Sequence, residues 1–198
     1  QINVEKFTIE KRKKNLIFTS AGDNTEFYNN WLGKDRNYDV WVVYYGNNEN
    51  NYKKYSNMVD FIIKNKGSKW QNFYFIWNKY KKYLLEYERF WIVDDDIIID
   101  TNQINKLFDL SKKYNFWVCQ PAFTKDSLIS HQITVQKENS FFRYVNFIEV
   151  GVVLLSRDSL IKFMEYYDSK LIGWGIDYFM FWVLGQNNKN KYAIIDTI

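Results

Sequence analysis

Short apolar runs recur along this chain, each closed by a polar turn and most followed by a stretch with helical spacing. Residues 15–20 (NLIFTS) form the first run, which breaks at Ala21-Gly22-Asp23-Asn24, a tight-turn signal. Residues 27–32 have helical character. Residues 38–45 (YDVWVVYY) read as a second buried strand, ended by Gly46-Asn47-Asn48. The run 58–63 is short and compatible with a third strand. Beyond Gly67-Ser68-Lys69, the residues Phe73, Ile76, Trp77, Tyr80 and Leu84 fall three and four apart, which predicts a helix over 70–86 with one buried stripe. Residues 89–93 form the next strand. Thr101 is placed to cap a helix over 101–114 whose inward residues are Ile104, Leu107, Phe108 and Leu110. Strands over 116–119, 147–155 and 192–196 and helices over 159–167 and 177–184 complete the pattern, while 121–139 is polar and irregular. Strands alternating with helices predict one α/β domain over residues 1–198, an α/β/α sandwich with a mainly parallel central sheet. The apolar end, 193–198, reads as a strand cut short, so further chain is expected beyond it.

Composition narrows the class. At 46% hydrophobic and 20% aromatic, the 198 residues suffice for a large core and a walled cleft. There is no apolar run of about 18 residues, so no membrane span is expected, and residues 1–15 lack the apolar stretch of a signal peptide. Cys119 is alone, so no internal disulfide forms, which fits a reducing, cytoplasmic setting. The net charge of +4 is spread over scattered lysine pairs such as Lys53-Lys54 and Lys112-Lys113. That pattern argues against a nucleic-acid partner and leaves room only for peripheral contact with an anionic membrane surface.

The most informative segment is Asp94-Asp95-Asp96, directly behind the apolar run Phe90-Trp91-Ile92-Val93 and ahead of Ile97-Ile98-Ile99. Adjacent carboxylates repel one another and are costly to desolvate. A cation at the strand end would relieve that cost. Oxygen ligands suit Mg²⁺ or Mn²⁺, which in turn favour phosphate oxygens. A diphosphate-holding metal site is one reading; a solvated acidic turn that caps the next helix is the other.

Ligands of open α/β sheets bind at the carboxyl ends of the strands. Two further loops meet that condition. Ser20-Ala21-Gly22-Asp23 follows the first strand, where Gly22 permits close backbone approach and Asp23 could accept from a base or ribose. Gly173-Trp174-Gly175-Ile176-Asp177 places an indole in a pliable loop and a carboxylate at a helix start, where its charge is stabilised. Glu149 falls inside an apolar run and needs a partner, for which Arg143 or acceptor hydroxyls are candidates. Trp70, Trp77 and Cys119 read as core.

Ile92-Val93-Asp94-Asp95-Asp96-Ile97 resembles the Asp-X-Asp strand of GT-A glycosyltransferases, and Gly173 to Asp177 resembles their acceptor-side loop. The ordered set that adds Gln120-Pro121-Ala122 and Phe147-Ile148-Glu149 is similar to a little-studied glycosyltransferase family of plants, bacteria and large viruses. The resemblance covers roughly residues 16–196 and implies a GT-A-like, Rossmann-type fold. It implies that Asp177 is the catalytic base and that Asp96, with Asp94, holds Mn²⁺ or Mg²⁺. Ser20, Ala21, Gly22, Asp23, Lys69, Asp94 and Asp95 would border the nucleotide-sugar donor. His131, Glu149, Trp174 and Gly175 would border a glycan or other hydroxyl acceptor. GT-A enzymes often add a late His as a metal ligand, whereas His131 is the only His here and lies in a different loop.

Together these readings predict a metal-dependent, inverting glycosyltransferase with a UDP-sugar as the favoured donor. A sugar nucleotidylyltransferase ranks lower, because the 20–23 turn has one glycine and no basic pair. A non-catalytic carbohydrate- or nucleotide-binding module would have no need of Asp177.

Overall fold

The computed structural model describes residues 6–7, 13–186 and 188–198. Most of the polar N-terminal stretch discussed above lies outside them. The strands are β1 (Lys6–Phe7), β2 (Asn15–Ala21), β3 (Tyr38–Tyr44), β4 (Phe61–Lys64), β5 (Arg89–Val93), β6 (Val118–Pro121), β7 (Phe142–Tyr144), β8 (Val152–Ser156) and β9 (Tyr192–Ile195). The helices are α1 (Phe27–Asn30), α2 (Glu49–Ser56), α3 (Lys69–Leu84), α4 (Thr101–Lys113), α5 (Arg157–Met164) and α6 (Ile176–Leu184). One sheet joins all of these strands in the order β1-β4-β3-β2-β5-β8-β6-β9-β7. From the pairings, β2, β3, β4, β5, β6 and β9 run one way, and β1, β7 and β8 run the other. The sheet is therefore mainly parallel, as the alternating pattern predicts.

Side chains alternate across the pleat and build a core on each face. Leu16, Phe18, Trp41 and Phe90 pack beneath α3, α5 and α6. Ile17, Val40, Trp91 and Val93 pack beneath α1, α2 and α4. Trp70 and Trp77 are core residues, and Cys119 is a buried free thiol whose pKa burial pushes up to about 12.

The structure revises several sequence expectations. Asp100, not Thr101, caps α4: its carboxylate accepts the Gln103 N–H, and Gln103 returns a bond to the Asp100 backbone. Both residues are good caps, and only the capping-box partner three positions on separates them. The strand expected over 147–155 begins only at Val152, and residues 147–151 turn into it. That segment is apolar because it packs on the core, as buried Ile148 does, without pairing in the ladder. The short strands β1 and β7 and the polar helix α2 carried too little periodicity to be predicted. No helix among the described residues is long and apolar enough to cross a membrane.

Arg143 is the clearest reassignment. It does not meet Glu149. Its guanidinium donates to both carboxylate oxygens of Asp196, at 3.0 and 3.1 Å, and to the carbonyls of Ile133 and Val135. Asp196 is buried and also accepts from Lys137 N and Ser140 Oγ. Burial opposes its ionisation, but these bonds outweigh that and hold its pKa below the usual carboxylate range. Arg143→Met would strand a buried charge, and urea unfolding at neutral pH should show a loss of about 3–5 kcal/mol. Because the folded pKa is depressed, this contribution is complete above the unfolded value of about 3.9 and is lost as pH falls below it. The variant should lack that acid-side loss.

Candidate active site

Topology brings the sequence candidates to one edge of the sheet. The carboxyl ends of β2, β3, β5 and β6 lie there, together with the start of the reversed strand β8. Helices that precede parallel strands run back across the sheet, so α3 and α6 aim their N-termini at the same edge. A cleft of about 350 Å³ opens at this edge, lined by Lys69, Asp94, His131, Glu149, Gly151, Trp174 and Asp177 among others.

Two of the three adjacent carboxylates take partners within the chain, and different ones. Asp94 pairs with the Lys69 ammonium at 2.8 Å. Asp95 accepts the Gly22 N–H at 3.0 Å, and its own carbonyl accepts from Thr25 Oγ1 and Glu26 N. Burial raises the Asp95 pKa, and the Gly22 bond opposes that rise. Asp96 is exposed and makes no ion pair or hydrogen bond among the described residues. Partners within the chain thus take up part of the charge of the triplet.

Lys69, its side chain only 10% exposed, stands at the first position of α3, where the helix dipole disfavours a cation. Besides Asp94, its ammonium donates to the carbonyls of Val150 and Gly151, both at 3.0 Å, so its three donors are all used. Burial pulls its pKa down, and Asp94 opposes this. Gly151 has a steric role as well. A Cβ there would sit 2.9 Å from Asp94 Oδ2, too close for the carboxylate to stay where it is.

The 20–23 turn lies beside the triplet. Ser20 is buried and its Oγ accepts from Asn72 Nδ2. Asp23 braces the β2 and β3 ends: it accepts from the Tyr44 hydroxyl and from the N–H groups of Asn47 and Asn48. Those bonds, led by Tyr44, hold its pKa at about 2. Tyr45 was not singled out in the sequence. Its ring lies against Gly22, since a Cβ on Gly22 would be 2.9 Å from the hydroxyl. After burial, its upward pKa shift comes from Asp95, Asp94 and Asp96. Nothing in a strand-end tyrosine distinguishes it from core before the turn is folded over it.

On the other side of the cleft, Asp177 sits in the first turn of α6 and is mostly buried. Its Oδ1 accepts the Tyr178 N–H at 2.9 Å. Gly175, which caps this helix at φ +85°, needs the left-handed region that glycine favours. Trp174 projects into solvent at 94% exposure. His131 packs its ring on Phe147, 4.5 Å between centroids. Glu149 reaches the cleft from the turn before β8; its N–H is held by Gln120 Oε1 at 2.7 Å. This bond joins the Gln-Pro-Ala and Phe-Ile-Glu segments. Glu149 Oε2 is buried without a hydrogen-bond partner among the described residues. Burial raises its pKa, with His131 and Lys69 opposing and Asp94 and Asp177 adding to the rise.

No three His, Cys, Asp or Glu side chains among the described residues gather as a metal-ligand set. The donors nonetheless fit an ion shared with a ligand: Asp96 is unengaged, and Asp94 keeps Oδ2 clear of its pair with Lys69. Mg²⁺ commonly takes one or two carboxylates and completes its shell with phosphate oxygens and water.

No family profile matches the chain, and no curated protein sequence matches it either. Its fold does match solved structures. S. aureus TarS, a GT-A-type glycosyltransferase, superposes with a TM-score of 0.59 at 12% identity over 93% of this chain. The chain spans 58% of the 1–349 TarS structure and 35% of the longer one. A197 from STIV aligns over 93% of the chain at 15% identity with a TM-score of 0.47. The chain thus has a GT-A-like fold, as its sequence motifs suggested.

The unpaired Glu149 oxygen gives a test of this geometry. A carboxylate whose folded pKa is raised weakens the fold above that pKa, and the penalty shrinks as pH falls through it. Glu149→Gln should therefore raise Tm by a few degrees at neutral pH. The gain should fade toward pH 4 in thermal scans.

Proposed function

We propose that this chain is a glycosyltransferase that moves a sugar from a nucleoside-diphosphate donor, UDP-sugars being favoured, to a hydroxyl of a glycan or other acceptor with inversion. One observation carries the reading. Asp94, His131, Glu149, Trp174 and Asp177, distant in sequence, line a single cleft at the strand-end edge where α/β folds bind ligands. The GT-A-like fold supports it.

In this reading the 20–23 turn, Tyr45 and the acidic triplet form the donor half. The 20–23 turn borders the nucleotide, and Lys69 fixes Asp94 against the donor sugar through their ion pair. Mn²⁺ or Mg²⁺, held by Asp96 with Asp94, would offset charge on the diphosphate leaving group. The acceptor half is formed by His131, Glu149, Trp174 and Gly175.

Asp177 Oδ1 is oriented by the Tyr178 N–H, which leaves Oδ2 for the acceptor hydroxyl. As the acceptor oxygen attacks the anomeric carbon, Asp177 takes its proton. The bond from that carbon to the diphosphate oxygen breaks, and the leaving group departs with the electron pair. Glu149, with its raised pKa, offers the acceptor a hydrogen-bonding partner buried in the cleft wall.

Asp177→Asn keeps the side-chain size and removes its basicity. Transfer, followed as nucleoside-diphosphate release with acceptor present, should drop about 10²- to 10⁴-fold while donor affinity holds. NMR of the product should show the opposite anomeric configuration to the donor; retention would exclude Asp177 as the base of a single displacement. Asp96→Ala should abolish the Mn²⁺-dependent part of nucleotide-sugar binding in calorimetry. Equal donor affinity in EDTA and in Mn²⁺ would remove the metal from the scheme.

A further inference from the structure

Helix α6 has an unusual surface. After Asp177 its sequence, YFMFWVL, contains no charged residue. Ile176, Met180, Phe181, Val183 and Leu184 are buried. The remaining face carries Tyr178, 67% exposed, Trp182, 69% exposed, and the partly buried Phe179. A surface helix ordinarily turns polar residues to water. Contiguous exposed apolar surface instead marks a binding site.

This face is continuous with the cleft. His131 lines the cleft and packs on Phe147 at 4.5 Å, and Phe147 packs on Tyr178 at 5.8 Å. Trp182 lies four residues beyond Tyr178, on the same side of the helix one turn along. Phe179 stacks on Trp182 at 5.9 Å and 18°, which braces the indole. A line of rings therefore runs from the cleft wall out along α6. Four residues of helix rise about 6 Å, close to the length of one pyranose unit.

We propose that Phe147, Tyr178 and Trp182 form a track for an extended carbohydrate acceptor, which binds through several sugar units beyond the one that is glycosylated. This deepens the glycosyltransferase reading and rests on it. A sugar ring has a face of C–H bonds and a rim of hydroxyls. Its C–H face can settle on an aromatic ring while the rim stays hydrated, and the Tyr hydroxyl and Trp N–H supply polar tips at the edge of the contact. The row is aromatic throughout and leads into the catalytic cleft, which favours a chain that must enter that cleft over a lipid surface.

The test uses an array of linear oligosaccharides, from mono- to hexasaccharide and in several linkages, with affinities of the positive classes measured by tryptophan fluorescence. Affinity should climb with chain length for at least one class. Trp182→Ala should weaken the longer chains about tenfold and flatten the length dependence, and Trp182→Phe should restore much of it. Tyr144→Ala, which removes an exposed ring elsewhere, should leave the length dependence intact. The proposal is overturned if no class shows a length dependence, or if Trp182→Ala binds long chains as the wild type does. It is equally overturned if Trp182→Ala instead releases the protein from anionic phospholipid vesicles with glycan binding unchanged. Donor turnover is scored separately: a length dependence that Trp182 controls, with no nucleoside diphosphate released from any nucleotide sugar, would sink the transferase reading and keep the track.

Discussion

Desolvating the ammonium of Lys69 forces three separate stretches of chain to meet. A buried cation at a helix N-terminus is unfavourable twice over, once for lost hydration and once for the helix dipole. It is tolerated because the end of β5 supplies Asp94 and the turn before β8 supplies two carbonyls. The Asp94 N–H in turn donates to the Gly151 carbonyl at 2.8 Å. These few bonds fix the relation of α3, β5 and β8, and the two sides of the cleft meet across them. Replacing such a pair with apolar residues often costs a fold nothing. The pair therefore matters more for the relation it fixes between these segments than as a source of stability.

The acidic triplet shows how the fold divides one local problem among partners. Three consecutive carboxylates would repel each other on one face. The chain leaves the strand at Val93 and turns, and the three go separate ways: one to Lys69, one to the Gly22 backbone and one to water. The partners come from far away in sequence, and together they tie the 20–23 turn to the 149–151 turn.

Strand direction does the remaining work. Had β8 run parallel to β5, the Glu149 to Gly151 turn would lie at the opposite edge of the sheet, away from Asp94. Its reversal brings Glu149 into the cleft beside Asp177 and His131. The shared edge also receives the N-terminus of α6, and with it both the candidate base and the start of the exposed aromatic row.

Much of this protein was legible in one dimension. Periodicity located the principal strands and helices, since a period of two or of 3.6 directly reflects which face is buried. The triplet behind β5 and the Gly-Trp-Gly-Ile-Asp loop stood out because carboxylates and glycines are costly beside apolar runs. Tertiary structure alone decided the partners. Arg143 went to Asp196 and not to Glu149, Lys69 to Asp94, and Tyr45 onto Gly22. It also turned Tyr178 and Trp182 outward from a helix that has no charged residue after Asp177. The physical reason is the same in each case. Hydrophobic spacing constrains a residue's own face of its own element, whereas ion pairs, ring contacts and exposure depend on which distant segment the sheet order and strand direction bring alongside.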